Sequence, residues 1–210
     1  MRPAFAACSA WLLALASAAA PAQQRDDYRA MLGYLADSRI DGRSFAGAQG
    51  AIAANLAAGD LNLQANLRSF ASGTQALATV QAAQVHGDDR HDGPLHASAR
   101  LGGDALRGAS GLASINQASG SGNAELNSVA ASLAQQGIRE ASDEALASSA
   151  VVASAGERNA GDAVGGTGTR SVAVEATALR GFQGVLQLNQ IAGSGNAADN
   201  QFSLSVQAGP

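Results

Sequence analysis

Residues 99–127 read ARLGGDALRGASGLASINQASGSGNAELN, and this stretch decides the fold because the chain contains it three times. Gap-free copies occur at 38–66 (SRIDGRSFAGAQGAIAANLAAGDLNLQAN) and at 172–200 (VAVEATALRGFQGVLQLNQIAGSGNAADN). The chain holds ten Asn, and nine of them lie in register, so composition bias does not explain the repeat. Six columns are identical in all copies: Gly47/Gly108/Gly181, Gly50/Gly111/Gly184, Asn55/Asn116/Asn189, Gly59/Gly120/Gly193, Asn62/Asn123/Asn196 and Asn66/Asn127/Asn200.

The residue types of these columns, which we call the repeat frame, indicate stacked β layers. A glycine at a fixed position marks a place where the backbone takes a positive φ or approaches another segment closely, here at arcs between short strands. Identical asparagines stacked at the roughly 4.8 Å spacing of neighbouring strands hydrogen bond through their side-chain amides, and such a ladder requires strict register. We therefore predict that the repeat frame is a self-assembly site.

The residues around the frame alternate with the period of strands, as in QFSLSV at 201–206. The column Ile40/Leu101/Val174 is always a bulky aliphatic residue, which predicts an inward position. The predicted fold class is all-β: a three-layer β-solenoid of stacked β-arch repeats, preceded by a short N-terminal helix or a mobile lead segment. The first copy deviates most, because Leu61 stands in the Gly122/Gly195 column and Arg68 in the Val129/Phe202 column.

The amino terminus has the form of an export signal. Arg2 precedes an uncharged run, and Ala20-Pro21-Ala22 fits the small-x-small rule, so cleavage is predicted before Gln23. The apolar run is shorter than the ~20 residues of a membrane span, so no stable membrane span is expected after signal removal. The predicted segments are 1–22 (signal peptide), 23–37 (lead), 38–72 (repeat 1), 73–98 (linker 1), 99–134 (repeat 2), 135–171 (linker 2) and 172–210 (repeat 3).

Composition excludes some functions. The chain carries 13 basic residues, all Arg, against 17 acidic residues, and its net charge is −4. Nucleic-acid binding is not expected, because it requires a clustered basic surface. The single cysteine, Cys8, lies in the predicted signal, so the mature chain has no disulfide and no thiolate metal site. Stability must therefore come from the repeat itself.

Candidate chemistry is sparse. His86, His91 and His96 recur at a spacing of five residues, which suits neither one helix face nor one strand face; a solvated linker is the interpretation and metal binding the alternative. Three acidic residues at unequal frame positions predict solvated charges rather than an acid–base pair: Asp60, Glu125 and Asp199. No Gly-x-Ser-x-Gly elbow and no P-loop occur. The chain is accordingly expected to have no catalytic, metal or cofactor site and not to be an enzyme.

The segments ALRGASGLASINQASGSGNAELN and ALRGFQGVLQLNQIAGSGNAADN resemble the imperfect repeats of the Fap functional amyloid subunits of Gram-negative biofilm bacteria. The resemblance covers 38 to about 206. It implies export through an outer-membrane pore, one β layer per repeat and polymerisation outside the cell, with further copies and a major or minor fibre subunit as partners. The chain ends QFSLSVQAGP without the Cys-x-Cys of the family's major subunit, which leaves a minor or nucleating subunit or a related adhesin-like protein.

Two functions follow. The first is a secreted, extracellular structural protein that self-assembles into amyloid-like fibres supporting biofilm matrix and adhesion. The alternative is a monomeric secreted adhesin whose solenoid surface is a binding module. Neither end of the repeat array carries an obvious cap, and exposed strand edges invite the addition of another chain, so the first function is favoured.

Overall fold

The computed structural model describes residues 36–85, 96–135, 151–154 and 169–207. Within these ranges every regular element is a strand, so the predicted all-β class is confirmed. The predicted signal peptide and N-terminal helix lie outside the described residues. The strands are β1 (Asp37–Ile40), β2 (Gln49–Ala58), β3 (Leu63–Gly73), β4 (Ala82–Val85), β5 (His96–Leu101), β6 (Ser110–Ser119), β7 (Ala124–Ala134), β8 (Val151–Ser154), β9 (Thr169–Val174), β10 (Gln183–Ala192) and β11 (Ala197–Gln207).

Equivalent strands of the three copies pair with each other in parallel. Copy 1 supplies β1–β3, copy 2 supplies β5–β7 and copy 3 supplies β9–β11. They form the sheets β1-β5-β9, β2-β6-β10 and β3-β7-β11, with copy 2 always in the middle. The register follows the repeat: Asn55 pairs with Asn116, and Asn116 with Asn189. The sheets are open, so one edge of copy 1 and one edge of copy 3 have no strand of the described chain beside them.

Strand pairing also extends beyond the copies recognised in the sequence. β4 and β8, in the segments predicted to be linkers, form a parallel pair of their own. In addition, β5 begins at His96 and β9 at Thr169, each three residues before its copy begins. β4 and β8 share no identical residue in register, and the stretches 96–98 and 169–171 share only Ser98 and Ser171, so self-similarity gave no usable signal for them.

The core lies in copy 2, because its strands are covered on both edges. Leu101, Leu106 and Ile115 are fully buried there. The aliphatic column is less uniform than predicted: Ile40 and Leu101 are buried, whereas Val174, on the last strand of its sheet, is 42% exposed. Copy 2 is therefore the copy whose strands have a paired strand on both sides in all three of these sheets.

Candidate functional site

The nine frame asparagines form three columns of directly bonded amides. In each column, the Nδ2 of one copy donates a hydrogen bond to the Oδ1 of the copy before it. The six donor–acceptor distances lie between 2.9 and 3.1 Å: Asn116 to Asn55, Asn189 to Asn116, Asn123 to Asn62, Asn196 to Asn123, Asn127 to Asn66 and Asn200 to Asn127. The structure thus brings all nine residues into continuous ladders.

Two of the columns interlock between the sheets. Asn116 on β6 and Asn127 on β7 face each other, and the Nδ2 of Asn127 donates to the Oδ1 of Asn116 at 2.8 Å. The same bond recurs from Asn66 to Asn55 and from Asn200 to Asn189, at 2.7 Å in both cases. Both copy 2 amides are fully buried, and a buried amide is tolerated only when it is hydrogen bonded. The paired ladders therefore fix register between layers and between sheets.

The third column lies at the arc between the second and third strands of each copy. The Nδ2 of Asn123 donates to the Oδ1 of Asn62 in copy 1 and also to the backbone oxygen of Gly193 in copy 3, at 2.9 Å in both cases. The backbone N–H groups of Asn123 and Asn196 also donate to the Oδ1 of the preceding copy, at 3.1 Å each. Each arc is thus bonded to the arc of the next copy.

The frame glycines have positive φ, as predicted. Close approach between copies adds a steric requirement in two of the three glycine columns. A Cβ built on Gly111 would overlap the carbonyl oxygen of Gly50, and one built on Gly120 would overlap that of Gly193. Gly108, in the remaining column, has φ +65° and open space around it, so conformation alone favours glycine there. All nine frame glycines share a positive φ: Gly47, Gly50, Gly59, Gly108, Gly111, Gly120, Gly181, Gly184 and Gly193.

Sequence reasoning missed further polar contacts between the copies. Gln190 Nε2 donates to Gln117 Oε1 at 2.8 Å, and Ser114 Oγ donates to Gln187 Oε1 at 3.0 Å. Their columns are not identical in all copies, since copy 1 has Leu56 and Ala53 there. The search for invariant columns therefore passed over them, although Gln recurs in two copies at Gln117 and Gln190.

The expectation that Glu125 is a solvated charge is wrong. Its side chain is fully buried on β7, where its register neighbours are Gln64 and Ala198. Oε2 accepts a hydrogen bond from Gln64 Nε2, while Oε1 is buried without a partner. Burial raises the pKa of Glu125 to about 8, and the Gln64 hydrogen bond opposes that shift. The carboxyl group is therefore protonated at neutral pH. The other two acidic residues, Asp60 and Asp199, are exposed as expected.

Arg68 is a second charged group in an otherwise neutral column. It pairs in register with Val129, which in turn pairs with Phe202. Its guanidinium donates to the carbonyl oxygen of Ile52 on β2, but its Nε is buried without a hydrogen-bond partner. Burial lowers the pKa of Arg68. Copy 1 thus places a cation where the other copies have apolar side chains.

Of the three predicted histidines, the structure describes His96. His96 begins β5, and its Nδ1 lies 2.7 Å from Thr169 Oγ1; His86 and His91 fall outside the described residues. In the part of the chain that the structure describes, no group of three or more His, Cys, Asp or Glu is placed to hold a metal ion. The same part contains no helix with the length and apolarity needed to cross a membrane.

Comparison with known proteins agrees with this geometry. Residues 17–207 match the family described as "Functional amyloid protein FapB/FapC family". No solved structure matches the chain. The match covers all three copies and both segments between them, so the chain belongs to the FapB/FapC family of functional amyloid proteins.

Proposed function

We propose that this chain assembles with further copies of itself into extracellular amyloid-like fibres that support biofilm matrix and adhesion. In this proposal each copy is one layer of a three-layer β-solenoid, and the repeat frame is the self-assembly site. The observation that carries the proposal is the set of three amide ladders, which run through every copy in one register. A ladder of this kind has no intrinsic end, because each layer repeats the bond of the one before it.

The open sheet edges give the ladders a way to continue. Among the described strands, β2 and β10 each pair only with β6, so the outer edge of each presents backbone groups with no strand partner there. A row of such groups is a template for another strand. Neither strand contains a charged residue that would oppose this addition: their sequences are QGAIAANLAA and QGVLQLNQIA. Stacking of a second molecule in the same register therefore repeats an interface that the chain already contains twice.

Location and partners follow from the same proposal. The export signal over 1–22, with cleavage before Gln23, delivers the chain across the inner membrane, and an outer-membrane pore carries it to the cell surface. A major or minor fibre subunit with the same frame is a further partner, because the ladder requires matching columns rather than identical chains. Amino-terminal sequencing of the exported protein tests the cleavage, and recovery of Met1 on that form would contradict it.

The alternative is a monomeric secreted adhesin with a β-solenoid surface. Exposed apolar side chains favour it: Phe70 is 62%, Leu133 is 51% and Leu204 is 47% exposed, all in the second halves of β3, β7 and β11. An apolar strip of this kind is typical of a surface that contacts another body.

Incubation of the purified chain separates the two functions. Self-assembly predicts a lag followed by growth, read by a cross-β dye, and fibres in the electron microscope. A chain that remains monomeric at high concentration for days, yet binds a surface or a glycan, would exclude self-assembly and establish the adhesin.

A further inference from the structure

Two frame glycines lie on the outer faces of the stack without a close backbone neighbour. A Cβ built on Gly50, in copy 1, meets no atom within 4 Å. The three atoms nearest to one built on Gly193, in copy 3, are side-chain atoms of Arg170 and Asn196, the nearest at 3.3 Å, and Gly193 is buried beneath them. Their positive φ values favour glycine for conformational reasons, but at neither position would a Cβ overlap the backbone of the same molecule.

The equivalents of these glycines inside the stack do have a steric reason, and it has a direction. In the Gly50 column, the added Cβ of each copy points at the copy before it: Gly184 at the oxygen of Gly111, and Gly111 at that of Gly50. In the Gly193 column it points at the copy after it: Gly120 meets the oxygen of Gly193. A molecule stacked in the same register would therefore bring a carbonyl oxygen to Gly50 at one end and to Gly193 at the other.

Hydrogen bonding identifies the same two faces independently. At each internal step, the Oδ1 of the arc asparagine accepts from both the backbone N–H and the Nδ2 of the next copy, at 2.9 to 3.1 Å. Asn196 in copy 3 is exposed, and among the described residues nothing donates to its Oδ1. Asn62 of a second molecule, the arc asparagine of copy 1, has the backbone N–H and the Nδ2 that would donate to this Oδ1.

We infer that molecules join through the copy 3 face of one chain and the copy 1 face of the next, and that Gly50 and Gly193 determine the fit of this junction. Gly50 leaves room for the oxygen of Gly184 of a second copy of the chain, and Gly193 leaves room for the oxygen of Gly59 once the side chain of Arg170 moves off it. The inference rests on the proposed function, because a junction exists only if the chain assembles. The junction has the same contacts as the interfaces between copies 1 and 2 and between copies 2 and 3. Its partner is therefore a second copy of this chain.

Alanine variants at the two faces test the junction. Gly50→Ala and Gly193→Ala should slow elongation on wild-type seeds about tenfold or more, because each methyl group would overlap the neighbouring backbone. Gly47→Ala is the matched control. Gly47 also has positive φ and open space, and its equivalent Gly108 has open space even between two copies, so this variant carries backbone strain but no clash at the junction. Urea unfolding of each monomer measures that strain separately.

Elongation of Gly50→Ala and Gly193→Ala at the rate of the Gly47→Ala control would overturn the junction and leave the proposed function standing. Absence of elongation by the wild-type chain would overturn both. Elongation that is clearly slower for Gly50→Ala and Gly193→Ala than for the strained frame variant Gly47→Ala, with similar monomer stability, is the result expected.

Mixing the two variants distinguishes a blocked face from a misfolded chain. Gly50→Ala keeps an intact copy 3 face and Gly193→Ala an intact copy 1 face, so an equimolar mixture has one usable junction. Light scattering should find each variant alone as a monomer and the mixture as a complex of two chains. A mixture that stays monomeric, or that polymerises, would contradict the assignment of the two faces.

Discussion

Glu125 ties the stability of the stack to pH. Burial raises the pKa of its carboxyl group from 4.5 to about 8, so the folded chain keeps a proton that the unfolded chain releases in this range. The free energy of unfolding should therefore fall as pH rises from 4.5 to 8, by about 1.4 kcal/mol per pH unit at most. The facing groups on β3 and β11, Gln64 and Ala198, are neutral, and β6 (SGLASINQAS) contains no charged residue.

The measurement is the urea midpoint at pH 5, 7 and 8.5. The wild-type midpoint should decrease across the series, whereas Glu125→Gln, which keeps the shape and stays neutral, should remove most of the decrease. Asp199→Asn, at an exposed carboxylate, is the control and should keep it. A midpoint that is constant in the wild type, or that still decreases in Glu125→Gln, would contradict the assignment.

Leu61 carries a backbone conformation suited to glycine. Its φ is +57°, in the column where Gly122 and Gly195 both have +69°. This region costs a residue with a Cβ roughly 1–2 kcal/mol, and Leu61 is 46% exposed, so little buried area is lost on truncation. Leu61→Gly should raise the free energy of unfolding by about 1 kcal/mol, measured by urea titration. Leu77→Gly, at another exposed leucine, should lower it; stabilisation by both, or by neither, would refute the explanation.

At the scale of elements, the ladders should control nucleation. Replacing Asn116, Asn123 and Asn127 with Ala removes all three ladders from copy 2 and leaves the apolar residues of β6 and β7 in place. Each amide bond should contribute about 1 kcal/mol, and the term recurs at every layer. The lag time of fibre formation should increase markedly. The comparison is a variant with Asp88, Asp89 and Asp92 replaced by Ala, because these residues lie in linker 1 and outside the repeat frame. Equal lag times for the two variants would exclude the ladder as the cause.

Arg68, the cation on β3, should oppose assembly. Stacking a second molecule on copy 1 would bury Arg68 against Phe202 of that molecule, with its Nε still unpaired, and a buried charge without full hydrogen bonding is costly. Arg68→Val matches Val129 and should shorten the lag several-fold. Arg43→Val, at an exposed arginine of the same copy, controls for the change in net charge. If the two variants shorten the lag equally, net charge rather than the Arg68 column limits assembly.

Register could be predicted from the sequence, whereas the burial of single residues could not. Nine asparagines at identical offsets require one alignment of the copies, and the ladder bonds of Asn116 follow from it. The burial of Glu125 gave no such signal, because its column contains Gln64 and Ala198 and no repeated type. β4 and β8 were missed for the same reason: each is four residues long, and no residue of one is identical to its register partner in the other.

At the scale of the whole molecule, the three copies are not equivalent. Copy 2 is covered on both sides and buries its polar frame completely; Asn116, Asn123 and Asn127 are all fully buried. In copy 3 the arc asparagine Asn196 is exposed, and the apolar side chain of Val172 on β9 is 52% exposed. Stacking of further chains would give the end copies the environment that copy 2 already has, and this burial would favour the proposed assembly.

The mass per unit length of the fibre tests this account most directly. Three layers at ~4.8 Å each place one chain of 20.8 kDa, less any cleaved signal, every ~14 Å along each protofilament. Scanning transmission electron microscopy of unstained fibres measures this ratio, and fibre diffraction checks the ~4.8 Å layer spacing. One chain per ~14 Å is the predicted result. One chain per ~5 Å would mean that each molecule lies in a single layer, and would contradict the stacking of its three copies along the fibre axis.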